Sequence, residues 1–520
     1  MGSAYFDAHS LWQRDKKPLY KSLSENLRTD VCVVGAGIAG LSIAYELLAQ
    51  GLKVTVLDRE RLGLGETGLT TAHLSNALDD GYRNLQKLHG FEGARLAAQS
   101  HTEAIAFIER MQATENIDCE FERVNGYLFL GPNHTVSVLQ EERKAAQQSG
   151  LSDVRLVDRA KSALFDTGPC LVFPRQAQFH PLRYLDGLAE AVERNGGQIY
   201  THAEVSEIFG GTYSYVKTSQ GFKVEAENIV VATNAAINNL FAIHTKNPAY
   251  RSYVVGVTIP SQQVDHSLFW DTSTPYHYLR MVKDPTTGED ILLVGGEDHR
   301  TGQDVDPEEH FRKLERWINH RMGIESRVVT RWSGQILEPV DGLAYIGRNP
   351  GEQNVFIVTG DSGHGLTHGS IAGPLIRDLI LKRENPYQHL YDPSRFHYRS
   401  LGSYVKAAAQ STFPYSDWLL EGDVPSVAQI PNGEGAVIRE GLSKVAVYKD
   451  EVGRLHACSA VCTHLGGIVR WNGAEKTWDC PCHGSRFDRF GEVVNGPANH
   501  PLVEVHDSLE RQGEGLSLNS

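Results

Sequence analysis

Residues 31–58, VCVVGAGIAGLSIAYELLAQGLKVTVLD, constrain this chain more than any other segment. Val31, Val33 and Val34 open a short buried strand. Leu41, Ala44 and Leu48 then recur at helical spacing, as do Ile43 and Leu47, until Gly51 stops the helix. KVTVLD reads as the next strand. The strand–helix turn holds Gly35-x-Gly37-x-x-Gly40. Gly35 permits the tight turn, Gly37 lets backbone approach a pyrophosphate, and Gly40 lets helix pack on strand. The helix N-terminus offers free N–H groups and a positive dipole end to phosphates. Asp58, 18 residues beyond Gly40, ends the second strand and can accept ribose hydroxyls. A GxGxxG by itself is also an ordinary glycine-rich turn; both strands and the acid together predict a dinucleotide site. The residues expected there are Gly35, Gly37, Ile38, Ala39, Gly40, Asp58 and Arg59, with Val205 from a later strand. The motif alone does not distinguish FAD from NAD.

The rest of the chain alternates helix and strand before turning all-β. Residues 85–112 read as a helix and GYLFLG (126–131) as a strand. A helix through LDGLAEAVE stops at Gly196-Gly197, and strands follow at QIYTHAEV and NIVVAT. YVVGVTIP and ILLVGG read as strands, and IAGPLIRDLILK as a helix. Residues 385–425 carry Pro and Tyr without clear periodicity and read as a linker. Short strands and Gly turns after them suggest a small β domain. Length allows about three domains. Lys plus Arg is 50 against 64 Asp plus Glu, a net charge of −14, which disfavours nucleic acid or anionic membrane as partner. No apolar run approaches the roughly 20 residues of a membrane span. MGSAYFDAHSLWQRDKKPLY has no signal-peptide apolar region, and the seven cysteines are scattered. The expectation is a cytoplasmic protein with reduced thiols.

Toward the end stand Cys462-Thr-His464 and Cys480-Pro-Cys482-His483. Two Cys and two His could hold zinc. The flanks, CTHLGG, CPCHGSRFD and the later Gly496-Pro497, resemble the ligand loops and proline loop of Rieske proteins over roughly residues 424–508. The resemblance implies a [2Fe–2S] cluster, with Cys462 and Cys480 on one iron and His464 and His483 on the other. Cys482 is not a ligand in that pattern. Respiratory Rieske proteins pair it with a Cys where this chain has Gly467, and they carry a Tyr where it has Phe487. Arg486 is expected to point to solvent.

The N-terminal two thirds resembles the D-amino-acid/sarcosine oxidase-like FAD enzymes, the glycine oxidase and γ-glutamylputrescine oxidase group. The matching pieces are SLW (10–12), the fingerprint, GLGETGLTTAH (63–73), EDILLVGGEDH (289–299) and GDSGHGLTHGSIAGPLI (360–376). The resemblance implies that Gly65, Thr67, Thr71 and Ala72 run along the flavin and that Gly363, His364, Gly365 and Leu366 close on its pyrimidine end. Tyr276, Tyr278 and Arg280 would lie over the flavin face, making Tyr278, Arg280 and His364 the candidate catalytic residues. Alternatively the tyrosines pack and Arg280 pairs with a surface carboxylate; it could also clamp an anionic substrate. His73, His299 and His368 read as structural. No Cys lies between Cys170 and Cys458, and Ser333 stands near the position of covalent flavin attachment in some relatives, so FAD is expected to be non-covalent. Thr367 stands where those relatives hold a substrate carboxylate with Lys.

The expected fold is therefore an α/β Rossmann-type FAD-binding domain with an inserted antiparallel β-sheet substrate domain, followed by a small all-β Rieske domain. The oxidoreductase spans 1–390, with FAD-binding parts near 28–85, 170–245 and 330–385 and substrate parts near 86–169 and 246–329. The linker is 391–423 and the Rieske domain 424–520. The expected function is oxidation of an amine or amino-acid-like substrate by hydride transfer to FAD, with single electrons passing through the cluster to an external acceptor or donor protein. An electron-transfer component without its own small substrate is the alternative, and a redox sensor or assembly factor a third reading.

Overall fold

The structure is a computed structural model that describes residues 10–14, 19–161, 165–237, 241–259, 266–284, 287–303, 306–323 and 327–505. It divides into two units, Met1–Asp298 with His310–Tyr404, and His299–Glu309 with Val405–Ser520.

In the first unit, five parallel strands form the centre of an eight-stranded sheet. Their order is Val355–Thr359, Lys223–Val231, Leu27–Val34, Val54–Leu57 and Gln198–Tyr200. Tyr345–Arg348 adds an antiparallel edge. The valine-rich opening strand is buried on both faces, as a central parallel strand must be, and pairs Val31 with Val54 and Val33 with Val56. The helices Ile38–Leu48 and Gly365–Ile380 pack against each other beside this sheet.

A second sheet has nine strands. Along its main path run Arg327–Leu337, Ala249–Thr258, Asp290–Arg300, His277–Lys283, Ser267–Asp271, Glu122–Phe129, Cys170–Gln178 and His73–Leu74. Ser267–Asp271 meets Glu122–Phe129 in parallel, while His277–Lys283 pairs antiparallel with both its neighbours, as do Ala249–Thr258 with Arg327–Leu337 and Glu122–Phe129 with Cys170–Gln178. Cys170–Gln178 and Arg327–Leu337 thus join this sheet, although their sequence positions read as nucleotide-binding. The expected 85–112 helix is part of Gly81–Thr114, which kinks at Gly90, where φ is 75°.

The second unit holds a three-stranded sheet, Glu434–Glu440, Ser443–Lys449 and Leu455–Ser459. A four-stranded sheet follows, Arg470–Asn472, Thr477–Asp479, Arg486–Asp488 and Val493–Asn495. The stretch read as a linker contains a helix, Leu401–Thr412, and a 3-10 helix, Phe413–Leu419. The helix arises from KAAAQS, whose alanines favour it and bury only small side chains, Ala407 and Ser411. Such a narrow contact leaves no apolar stripe in the sequence. No described helix is long and apolar enough to cross a membrane.

Candidate functional site

At the fingerprint, a Cβ on Gly40 would lie 1.9 Å from the Gly35 carbonyl oxygen, so no side chain fits there. The helix Ile38–Leu48 has Gly37 at its N-cap, which has no side chain to cap the first turn, so its positive dipole end faces the turn that a phosphate would occupy. Asp58 accepts from the Ala36 N–H at 2.7 Å and the Glu60 N–H at 2.9 Å, and burial raises its pKa. Thr67 Oγ1 accepts from the Ile38 N–H at 3.2 Å, joining the 63–73 segment to the same turn. Val205 is buried at the start of Val205–Phe209. The glycine-lined backbone at this helix start fits a dinucleotide pyrophosphate.

The 63–73 segment is held from several sides. Trp12 Nε1–H donates to Thr70 O at 2.6 Å, which explains the SLW opening. Trp332 Nε1–H donates to Leu69 O at 2.7 Å, and Glu66 accepts from the Gln335 N–H at 2.8 Å. Arg280 NH1 donates to the carbonyls of Ala72 (2.8 Å), Thr71 (3.1 Å) and Phe179 (3.3 Å). Arg280 is therefore not on the surface pairing with a carboxylate, as one reading expected. It is 5% exposed and grips the backbone where Ala72 adopts φ 60°.

Tyr278 turns the other way from this clamp only in its partners, since it shares a face of strand His277–Lys283 with Arg280 at i and i+2. Its ring lies against Gly295, where a Cβ would come within 2.2 Å of the ring. Its hydroxyl is 3.0 Å from Ser252 Oγ. Tyr276 donates to Asp79 Oδ2 at 3.1 Å. His364 Nε2 lies 3.2 Å from Asp79 Oδ1 and 3.1 Å from the Asp79 amide, so a neutral ring accepts the N–H and a charged one donates to the carboxylate. Burial opposes charge on His364, but Asp79 outweighs it and the pKa rises. Burial, reinforced by neighbouring acids, lifts Asp298 to about 7 and Glu338 to about 8. Thr367 bonds to His101 Nδ1 at 2.8 Å, and His101 Nε2 is 3.2 Å from His368, so that trio forms a buried network of its own.

The sequence reading missed Asp79, Ser252, Asp298 and Glu338. It also missed Arg251, which is 1% exposed and donates to Ser333 Oγ. Asp298 lay inside the quoted EDILLVGGEDH piece. Glu338 opens EPVDGLAYIG (338–347), a piece that also resembles the family, and Asp79, Ser252 and Arg251 come from segments with no motif.

The cluster motifs lie in two loops of matching construction. In one, the Cys462 N–H donates to Gly467 O at 2.8 Å and the Gly466 N–H returns to Cys462 O at 2.9 Å. In the other, the Cys480 N–H donates to Ser485 O at 2.8 Å and the Gly484 N–H to Cys480 O at 3.0 Å. The Cys462 and Cys480 side chains hydrogen-bond each other, and the His464 and His483 rings face edge-on with centroids 5.1 Å apart. The thiols thus form one pair and the imidazoles another. Burial lowers both histidines to about 4, which keeps them in the neutral, metal-binding form. Among the described residues, only His89, Asp341 and His397 gather their donor atoms within 4.8 Å of one another. The cluster set is spread more widely than a single tetrahedral zinc needs, and its segregated pairs fit a two-iron group. At the other cluster of donors, Arg395 already holds both Asp341 oxygens, at 2.7 and 2.8 Å.

Arg486 corrects the sequence expectation. It does not point to solvent. It is buried, with Nε 3.0 Å from Asp479 and NH2 2.6 Å from Glu475, because those acids line the inside of the small sheet. Ser485 is fully buried and its hydroxyl accepts from the Ala498 N–H at 3.0 Å, which leaves its own O–H to donate beside the Cys462 thiol that it favours in the charged form.

The model of the FAD dependent oxidoreductase (DAO) family matches residues 30–379, and that of the Rieske [2Fe-2S] domain matches 421–506. YhfW of Bacillus subtilis (strain 168), named as a Rieske 2Fe-2S iron-sulfur protein, is 32% identical over 498 residues, 94% of this chain and 95% of that protein. γ-Glutamylputrescine oxidoreductase of Escherichia coli (strain K12) is 27% identical over 393 residues, 73% of this chain and 88% of that protein. Glycine oxidase from Geobacillus kaustophilus superposes with a TM-score of 0.61 at 19% identity, over 71% of this chain and 100% of that one, a likeness of fold. The chain thus belongs to the FAD dependent oxidoreductase (DAO) family, of the amino-acid and amine oxidoreductase type, with a Rieske [2Fe–2S] domain following the FAD-binding one.

Proposed function

We propose that this chain oxidises an amine or amino-acid-like substrate at a C–H next to nitrogen and delivers the electrons singly to an external one-electron acceptor. When bound, FAD accepts a hydride and the [2Fe–2S] cluster carries one electron at a time, so the pair converts two-electron into one-electron chemistry.

The observation that carries the reading is the wall of Tyr276, Tyr278, Asp79 and His364, with Asp298 buried beside it at a pKa of about 7. An amine is oxidised from its neutral form, and most amines arrive as ammonium ions. Asp298, ionised near neutral pH, takes that proton. Asp79 and His364 orient the substrate nitrogen, and the tyrosine rings exclude water. Gly35, Gly37, Ile38, Ala39, Gly40, Asp58 and Arg59 hold the dinucleotide, with Val205 packing nearby. Gly65, Thr67, Thr71, Ala72, Gly363, Gly365 and Leu366 cradle the flavin without a covalent link. Arg280 acts as a positioning residue for Thr71 and Ala72. Cys462, His464, Cys480 and His483 hold the cluster.

Anaerobic mixing with a panel of amines and amino acids tests this: a true substrate bleaches the flavin absorbance. Cys480→Ser should keep that bleaching yet lose turnover with a one-electron acceptor. If only a reduced protein partner bleaches the flavin, the chain is an electron-transfer component without a small substrate.

A further inference from the structure

We propose that Tyr415 and Trp418, which lie outside both ligand motifs, form the brace that ties the two cluster-ligand loops together. Both stand on the 3-10 helix Phe413–Leu419. The Tyr415 hydroxyl donates to Leu465 O at 2.8 Å, one residue beyond the ligand His464. The Tyr415 side chain also packs against the buried cluster that holds Cys462, Cys480 and Cys482, so it meets the core beneath both loops while its hydroxyl holds the first of them. Trp418 adds a second tie, its indole N–H donating to Gly466 O at 2.9 Å.

The helix carrying them is itself anchored. Asp417, between the two aromatics, accepts from Arg470 Nε at 3.0 Å and NH2 at 2.7 Å, and Arg470 begins the strand Arg470–Asn472. The brace therefore runs from the small sheet, through Asp417, to the first loop and to the packed core that both loops share.

The loops approach closely enough for a covalent tie. A Cβ at Gly467 would lie 2.5 Å from Cys482 Sγ and 3.4 Å from its Cβ, close to the usual Cβ separation of a disulfide. Gly467 leaves that tie unmade, and Tyr415 holds the first loop by its hydroxyl while its ring packs on the cluster that includes Cys482. Ligand loops that are held in place bind a metal group more firmly than loops that must be ordered by it. Tyr415 and Trp418 are positioning residues in this account, since neither is a ligand.

The test follows the cluster's visible circular dichroism in the full-length protein during challenge with an iron chelator, with no substrate present. Tyr415→Phe keeps the ring and removes one hydrogen bond of ordinary net strength, so the cluster should be lost about fivefold faster while flavin absorbance is unchanged. Adding Gly467→Cys to that variant should form a disulfide with Cys482 under mild oxidation, seen by thiol counting, and return the loss rate to the native value or below. Reducing the disulfide should restore the fast loss. An unchanged rate in Tyr415→Phe overturns the proposal. So does a Gly467→Cys chain whose thiols stay free under oxidant, or one whose disulfide forms without slowing the loss.

Discussion

Arg280 and Arg486 are both buried arginines, 5% and 4% exposed, and the two units keep them in opposite ways. Arg486 sits between the carboxylates of Asp479 and Glu475, whose side chains are 3% and 9% exposed. Among the described residues Arg280 has no acid in hydrogen-bond contact and is met by three backbone carbonyls. Burial accordingly pulls its pKa down to about 9, still charged at neutral pH. An arginine between acids neutralises charge, whereas one among carbonyls fixes the path of a backbone. Removing the first strands two anions, and removing the second leaves dipoles.

The largest expected effect follows from that contrast. Arg486→Met should destabilise the C-terminal unit by about 3–5 kcal/mol, because Asp479 and Glu475 are left buried without a cation. Denaturant unfolding followed through the cluster absorbance measures it, and adding Asp479→Asn should recover part of the loss. A midpoint equal to the native one would show that the acids are solvated and that the contrast with Arg280 is false. Arg280→Met should be milder, about 2 kcal/mol, from unsatisfied carbonyls in the 71–72 segment. Its sharper signature is faster flavin release, measured by the rise in flavin fluorescence on dilution. Arg280→Lys should recover little of this, since an ammonium lacks the planar fork. Native flavin retention in both variants would remove Arg280 from the clamp.

The same contrast explains what could be read from the sequence. The fingerprint and the ligand loops are local: Gly35 and Gly40 meet within one turn, and each cluster loop closes on itself within six residues. Local geometry forces residue type at fixed spacing, so both cofactor sites were visible as motifs. The wall proposed to face the substrate is assembled from residues 79, 252, 276–278, 298, 338 and 364, brought together by two sheets and a helix terminus. Nothing in the spacing of Asp79 and Asp298 announces that they meet. Arg486 misled for a related reason. An arginine in a short polar strand ordinarily faces water, and only the pairing of Arg486 with Asp479 across adjacent strands turns it inward.

A third effect belongs to the acids of the flavin unit. With Asp298 at about 7 and Glu338 at about 8, these carboxyls hold protons that an unfolded chain would shed near pH 4. Their folded pKa values are raised, so stability falls as pH climbs through that window, the reverse of a salt-bridged aspartate. The rate of flavin bleaching should move the other way, rising as the base ionises and falling about tenfold per pH unit below the apparent pKa. Asp298→Asn should flatten that limb. Because the two acids interact, the pair titrates as a unit. A limb that persists unchanged in Asp298→Asn would assign the proton to Glu338 or His364 instead.

The smallest effect is at the cluster and turns on Ser485. Hydrogen bonds to cluster sulfurs and ligand thiolates stabilise the reduced, more negative state and so raise the potential. Ser485 is expected to supply one such bond to Cys462, because the Ala498 amide fixes its hydroxyl as an acceptor and leaves its O–H to donate. Phe487, fully buried, has no hydroxyl to add a second. A cation at Arg486 alone would raise the potential, but Asp479 and Glu475 set two negative charges against its one, so the trio lowers the potential in the same direction as the missing hydrogen bond. The midpoint should therefore lie nearer about −150 mV than about +300 mV. Ser485→Ala should lower it by roughly 40 mV, the one-electron equivalent of about 1 kcal/mol for a single lost bond. A redox titration monitored by electron paramagnetic resonance reads both values. A native midpoint above about +150 mV, or a Ser485→Ala midpoint that does not move, would mean that something other than these hydrogen bonds sets the potential.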